Sequence, residues 1–476
     1  MIDNFKMGLS FRRKVCAFKG DCIRKTNKRE GKTKMKLFNR IISVVTTLFL
    51  TIGLVACNNT GSSSSSDVGG SSSGGGMTEI KDPLYQIEDV VKQDLMWDTS
   101  TLFETVPEIK KLEDIQIAKR IEAFKFKSVG YQDKENTWVF GAVGTPATEM
   151  PKDGYPAVVL IHGGGGHVFG AWMSYWMEKG FVAIAIDMFG NELNYSLQKV
   201  SNPDGGPREH DGSNFDGVED VTQSWVYHSV HNVVMAHNLL RAREDVDVDR
   251  IVATGISWGG FITNIVAGVD KRFTAFAPVY GSGFVYEDSF WTNGHGTFGG
   301  EENRQQWINL YDPSSYLPYA TKPMLFVSGI DDSCFAVENR VKSAELVKGK
   351  VFYSQRSDLS HGNFWMLTPE ICAFFQHVLY GQNTITQFGE VVVNNGVATL
   401  KTENDLYHSV NFLYTTSKDE DSHKWEWRTL SVTKVNGVYS CAIPQDATAY
   451  LFETVGDSNP KDKDGFFRQS TSVYFQ

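Results

Sequence analysis

The sequence predicts an α/β fold, a mostly parallel sheet with helices on both faces, followed by a small antiparallel β-sandwich. Three observations carry this. Continuous apolar runs at residues 157–161, 181–186, 251–254, 273–279 and 323–327 suit parallel strands covered on both faces. Helical patterns lie between them, as over residues 218–244, and strands alternating with helices mark a mostly parallel sheet. After Gly381 the pattern changes to short alternating runs at 389–393, 397–400, 410–414, 425–430, 438–442 and 449–453, with no helix-period segment between them. That reads as a sandwich of immunoglobulin type.

Ahead of the parallel runs, residues 109–120 show a helical tendency. Residues 121–143 partly alternate around the polar Gly130-Tyr131-Gln132-Asp133, as in a β-hairpin. The expected catalytic body is therefore 77–381, with an N-terminal extension, and the β-module is 382–476.

Composition bounds the function. The 476 residues are 41% hydrophobic with 31 Phe and 11 Trp, enough for a sizeable core and against wholesale disorder. The formal charge is −10, yet residues 1–40 hold 13 Lys/Arg against 3 Asp/Glu, so the remainder carries −20. An acidic body does not bind nucleic acid or anionic lipid through charge.

The basic N-terminus reads as targeting. Residues 1–34 look like neither a signal nor a domain, and the expected start is Met35. Met35-Lys36-Leu37-Phe38-Asn39-Arg40 is a positive n-region, and residues 41–55 are an apolar run too short to span a bilayer comfortably. The run ends Leu54-Val55-Ala56-Cys57, which resembles the bacterial lipobox. That resemblance implies a signal peptide over 35–56, lipid on Cys57, and a protein anchored to a membrane of the bacterial cell envelope, outside the cytoplasm. Residues 57–76 are a Ser/Gly-rich tether. With Cys16 and Cys22 removed and Cys57 acylated, Cys334, Cys372 and Cys441 remain. This is no disulfide scaffold, and no CxxC or Cys/His motif suggests zinc. No cofactor is expected.

Two glycine motifs carry the chemistry. Gly255-Ile256-Ser257-Trp258-Gly259 follows the 251–254 strand directly and precedes a segment that can be helical. A strand–turn–helix with small neighbours is what a strained, exposed nucleophile needs. His162-Gly163-Gly164-Gly165-Gly166 follows the 157–161 strand, where glycines let backbone N–H groups face a developing oxyanion. The expected donors are the N–H groups of Trp258 and Gly164. After the serine, strand 323–327 leads into Asp331 and Asp332, which compete as the orienting acid, and a later loop holds His361. The order Ser, Asp, His is that of α/β hydrolases. His377 falls inside the expected final helix and reads as structural.

Residues 155–381 resemble bacterial acetyl xylan esterases and dienelactone-hydrolase-type proteins, a branch close to prolyl-oligopeptidase catalytic domains. The likeness rests on Val248-Asp249-Arg250-Ile251 through Gly260, Asp270-Lys271-Arg272-Phe273, Pro278-Val279-Tyr280-Gly281, Asp312-Pro313-Ser314-Ser315-Tyr316-Leu317, and Gly329 three residues before Asp332. It implies the α/β-hydrolase fold, selects Asp332 as the acid, and implies a serine esterase with an ester substrate, such as acyl groups on polysaccharide. Those esterases carry an Arg-Gly-Tyr type loop where this chain has His162-Gly163-Gly164. Trp172, Trp176, Trp291 and Trp307 are candidates either for sugar stacking or for the core. Two other readings are a prolyl-oligopeptidase-like peptidase and a non-catalytic surface-binding lipoprotein. No candidate triad member lies beyond His361, so the β-module is expected to be dispensable for small esters.

Overall fold

The apolar runs become the middle of one large sheet. The computed structural model describes residues 96–208, 220–287, 289–292, 300–362, 368–404, 406–456 and 467–476. The expected signal peptide, the tether and Cys57 lie outside the described residues. Helix α1 (Thr99–Glu104) opens the described chain, its first turn capped by the Asp98 carboxylate accepting from Thr101 N. There follow β1 (Ile109–Lys111), β2 (Ile121–Ser128), β3 (Thr137–Gly144), β4 (Tyr155–Ile161), α2 (Gly170–Glu178) and β5 (Val182–Ile186). A short hairpin, β6 (Asn191–Leu193) and β7 (Lys199–Ser201), precedes α3 (Trp225–Arg241), β8 (Val246–Ile256), α4 (Trp258–Val269) and β9 (Ala275–Val279). Then come α5 (Glu301–Leu310), β10 (Met324–Gly329), α6 (Val337–Leu346), β11 (Val351–Arg356) and α7 (Pro369–Tyr380).

The strand order through this part is β1-β2-β3-β5-β4-β8-β9-β10-β11. From β5 to β11 neighbours are parallel, while β1, β2 and β3 pair antiparallel on one side. Strands β4, β5 and β9 are buried at every position, which is why they read as unbroken apolar runs. Helix α3 is buried along nearly its whole length. Among the described residues no helix is long and apolar enough to cross a membrane.

Residues 109–120 are not helical. Ile109 to Lys111 add a strand to the sheet edge, with Ile109 opposite Phe126 and Lys111 opposite Phe124. All three are exposed, so their apolar spacing carries no burial signal. Pairing with β2 decides the conformation, and Leu112 N continues it by donating to Ala123 O at 2.9 Å.

The C-terminal strands are β12 (Val392–Asn394), β13 (Val397–Lys401), β14 (Ser409–Thr415), β15 (Trp427–Ser431), β16 (Thr433–Val435), β17 (Val438–Ala442), β18 (Ala449–Val455), β19 (Arg468–Ser470) and β20 (Tyr474–Phe475). One layer is the antiparallel sheet β12-β13-β17-β16. The other is not a separate sheet. Strand β19 pairs antiparallel with β11 at Tyr353 and Ser470, and β18, β14 and β15 follow, so the parallel sheet runs on into the β-module. Leu400, Phe412, Tyr439 and Phe452 fill the space between the two layers. On the opposite face, Leu413, Leu451 and Val473 pack with Ile330, Val337 and Val341 from the segment after β10.

Candidate active site

Strand β8 ends at Ile256, helix α4 begins at Trp258, and Ser257 is the hinge between them, at φ 56° and ψ −119°. A non-glycine residue held there stores about 1–3 kcal/mol of backbone strain. The neighbours keep it in place. Ser257 N donates to Val279 O at 2.9 Å, and Phe261 N donates back to Ser257 O at 2.9 Å. A Cβ on Gly259 would lie 2.0 Å from Ile161 O, and one on Gly255 would lie 2.2 Å from Gly259 O. The turn therefore closes only with glycine at both positions.

The Gly-rich loop after β4 meets this turn. A Cβ on Gly163 would lie 2.9 Å from Ser257 Cβ, so the loop backbone runs directly against Ser257. His162 supports the loop from beneath: its Nε2 accepts from Met188 N at 3.1 Å and its ring is 2% exposed. Trp258 is the first residue of α4, where N–H groups lack intrahelical acceptors and the helix end is positive. Gly164 sits on the exposed part of the loop.

Asp332 and His361, the expected acid and base, arrive from the loops after β10 and β11. His361 Nε2 is 2.9 Å from Ser257 Oγ, and His361 Nδ1 is 2.8 Å from Asp332 Oδ2. The second carboxylate oxygen, Asp332 Oδ1, accepts from Cys334 N at 2.9 Å and Phe335 N at 2.8 Å. Asp332 is buried, whereas Asp331 is exposed. The structure thus separates the two competing aspartates. Burial alone would raise the Asp332 carboxyl, but the His361 ring and the Arg340 guanidinium hold it below its ordinary value. Burial alone would lower His361, and the Asp332 charge overrides it, placing the imidazole pKa well above its ordinary value.

Three supporting groups were not read from the sequence as part of the site. Arg340, 1% exposed, donates to Gly329 O at 2.8 Å and to Phe335 O, pinning both ends of the loop that presents Asp332. The Tyr280 ring lies tilted against the His361 ring, 4.6 Å between centroids, and Tyr280 Oη donates to Ser360 O at 2.9 Å. The loop that carries His361 is held from the β-module: buried Glu453 accepts from Ser357 N at 3.0 Å, and Arg468 Nε donates to Asp358 at 2.7 Å. Arg340 was legible only as a residue type, and Tyr280, though inside the Pro278-Val279-Tyr280-Gly281 stretch, carried no sign there of its contact with His361.

Trp172, Trp176, Trp291 and Trp307 are all buried. They are core residues and offer no open face for stacking. Trp291 does border the site: it lies 4.3 Å from Trp258 and 5.2 Å from Phe335, whose ring stacks on His361 at 6.2 Å. His377 points away, its Nδ1 2.8 Å from Gln382 O.

Residues 84–286 match the acetyl xylan esterase (AXE1) family, a stretch that includes Ser257 and stops before Asp332 and His361. A probable dipeptidyl-peptidase 5 of Emericella nidulans is 27% identical over 237 residues, 45% of this chain and 29% of that protein. Dipeptidyl-peptidase 5 of Aspergillus fumigatus is 25% identical over 307 residues, 58% of this chain and 38% of that one. The chain spans about a third of the length of these curated relatives. Among solved structures, an acetyl xylan esterase from Paenibacillus sp. R4 aligns over 62% of this chain and 96% of its own, at 16% identity and a TM-score of 0.48. The mostly parallel sheet with its helices is consistent with the α/β-hydrolase fold, and residues 84–286 are similar to the acetyl xylan esterase family.

Proposed function

We propose that the protein is a serine esterase that cleaves small acyl esters, with acylated polysaccharide as the substrate class, from a lipid-anchored position outside the cytoplasm. One observation supports this above the rest: Ser257 Oγ, His361 and Asp332 form a continuous hydrogen-bonded row at a strained strand-to-helix turn. His361 takes the Ser257 proton as Oγ attacks the carbonyl carbon. Asp332 fixes the tautomer and stabilises the imidazolium. The N–H groups of Trp258 and Gly164 receive the oxyanion. His361 then protonates the leaving alcohol, and water activated by the same ring releases the acid.

The crowding of Trp258, Trp291 and Phe335 beside His361 favours a short acyl group such as acetyl. The similarity of residues 84–286 to acetyl xylan esterases supports the same choice. The peptidase names among the relatives favour a second reading, hydrolysis of an aminoacyl amide by the same triad. The comparison of p-nitrophenyl acetate, butyrate and octanoate with an aminoacyl p-nitroanilide separates them. Ester cleavage that falls with acyl length supports the esterase, and faster anilide cleavage overturns it. Ser257→Ala is expected to abolish turnover and fluorophosphonate labelling while circular dichroism stays unchanged. Labelling that persists in the mutant places the nucleophile elsewhere.

The lipid attachment at Cys57 rests on the sequence alone. Cys57→Ser is expected to release the protein from the membrane fraction, since a flexible tether offers no other hydrophobic anchor. A mutant that still sediments with membranes removes the anchor from the proposal.

A further inference from the structure

Beside the triad the fold assembles a group that no spacing in the sequence announces. Cys334 Sγ, a carboxylate oxygen of Asp332 and a ring nitrogen of His361 all lie within 4.8 Å of one another. The separation of 27 residues between Cys334 and His361 hides them from any Cys/His motif. They meet because β10 and β11 are parallel neighbours whose C-terminal loops lie side by side. The Cys334 backbone N–H is committed to Asp332 Oδ1. Its side chain is half-buried and in no disulfide, and the ester mechanism gives it no task.

We infer that Cys334, His361 and Asp332 form an inhibitory site for a thiophilic divalent cation such as Zn²⁺. A tetrahedral zinc takes sulfur at about 2.3 Å and imidazole nitrogen or carboxylate oxygen at about 2.0–2.2 Å, so its ligand atoms stand roughly 3.3–3.7 Å apart. Asp332 Oδ2 and His361 Nδ1, at 2.8 Å, need to open only slightly to admit an ion in place of their shared proton. Cys334 Sγ closes the third position, and solvent fills the fourth. A hard cation such as Mg²⁺ prefers six oxygens and gains little here.

The chemistry explains why occupancy silences the enzyme. Zinc bonds form to Sγ, Nδ1 and Oδ2. The thiol proton leaves to solvent, and the proton displaced from Nδ1 is made good on Nε2, so neutral imidazole changes tautomer and one proton is released in all. Neutral imidazole bound through its Nδ1 lone pair carries its only proton on Nε2, the atom that faces Ser257 Oγ. The ring then donates to Ser257 where catalysis requires it to accept. No electron transfer is involved. One thiolate and one carboxylate balance the ion's charge. Because a proton is released, binding tightens as pH rises.

The inference rests on the triad geometry used under Proposed function, but its test does not depend on turnover. Full-length Ser257→Ala protein is titrated with zinc chloride by calorimetry in a non-chelating buffer, beside Ser257→Ala/Cys334→Ala and Ser257→Ala/Cys334→Ser. One binding event present in the first and weakened at least tenfold in both double variants supports the site. Equal binding in all three overturns it, and thermal melts verify that each variant is folded. In the active protein, Zn²⁺ is expected to inhibit p-nitrophenyl acetate hydrolysis at micromolar concentration, reversibly with EDTA, and Mg²⁺ is not. Cys334→Ala and Cys334→Ser, each normalised to its own metal-free rate, are expected to need at least tenfold more zinc. Unchanged zinc sensitivity in both variants overturns the inference even if the esterase reading holds.

Discussion

Asp332→Asn is expected to lower kcat by about 10⁴, while Asp331→Asn stays within about tenfold of the unsubstituted enzyme. The asymmetry follows from what each carboxylate meets. Asp332 spends one oxygen on two backbone N–H groups and the other on His361 Nδ1. An asparagine must keep its carbonyl toward those two donors, so its NH₂ faces the ring. Nδ1 then becomes an acceptor, the proton moves to Nε2, and Ser257 loses its base. Asp331 is exposed, and its substitution disturbs only the loop surface. Melts are expected to show a cost for Asp332→Asn of a few degrees, because buried Arg340 loses its main countercharge.

The pH profile gives an independent sign. Activity needs neutral His361, whose pKa the Asp332 charge holds well above 6.5. Activity of the unsubstituted enzyme therefore rises with pH through a limb placed above 6.5. With the carboxylate gone the favourable charge is gone, and the residual activity of Asp332→Asn is expected to show its limb at lower pH. Plots of kcat/KM against pH for both proteins check this. A limb that does not move, or a dead Asp331→Asn beside an active Asp332→Asn, reverses the assignment of the acid.

What the sequence made legible follows from which interactions leave a pattern. Strands β4, β5 and β9 are buried on both faces, and that burial writes an apolar run into the chain. The Ser257 turn is legible because backbone contacts of 2.0–2.2 Å at a hypothetical Cβ admit only glycine at 259 and 255. Edge strands leave no such trace: all three residues of β1 are exposed, as are those of β16. Strand β19 is Arg-Gln-Ser, without one apolar residue, so the continuity of the two sheets was invisible. The residues alone left Asp331 and Asp332 competing, the family likeness selected Asp332, and burial separates them in the structure; whether the tryptophans face the core depends on burial alone. Arg340 stands 11 residues from its partner Gly329, Cys334 27 residues from His361, Tyr280 80 residues from Ser360 and Glu453 96 residues from Ser357. Only folding brings them there.

That hidden continuity reverses the expectation for the β-module. A chain ending at Gly381 is expected to aggregate, or, where soluble, to lose at least 100-fold in kcat/KM on p-nitrophenyl acetate. Three losses act together. Strand β11 loses β19 and becomes an open edge of a long sheet, which invites association with other chains. Ile330, Val337 and Val341 lose the cover of Leu413, Leu451 and Val473, and each such buried side chain is worth about 1.5–3 kcal/mol. The loop from Ser357 to His361 loses Glu453 and Arg468, which hold Ser357 and Asp358. Arg356 and Arg468 share Asp358 between them, so the strand end that launches the loop is released as well. A displacement of about 1 Å at a catalytic group costs on the order of 100-fold. Glu453→Ala isolates the third loss in the full chain. It removes the acceptor of Arg468 Nη1 and of the Ser357 N–H, while Arg468 Nε keeps Asp358, and is expected to reduce kcat more than it alters KM, because His361 and not the acyl pocket is displaced. Size-exclusion chromatography of the shortened chain and steady-state kinetics of both proteins decide the matter. A monomeric, fully active protein ending at Gly381 shows that the β-module takes no part in holding His361.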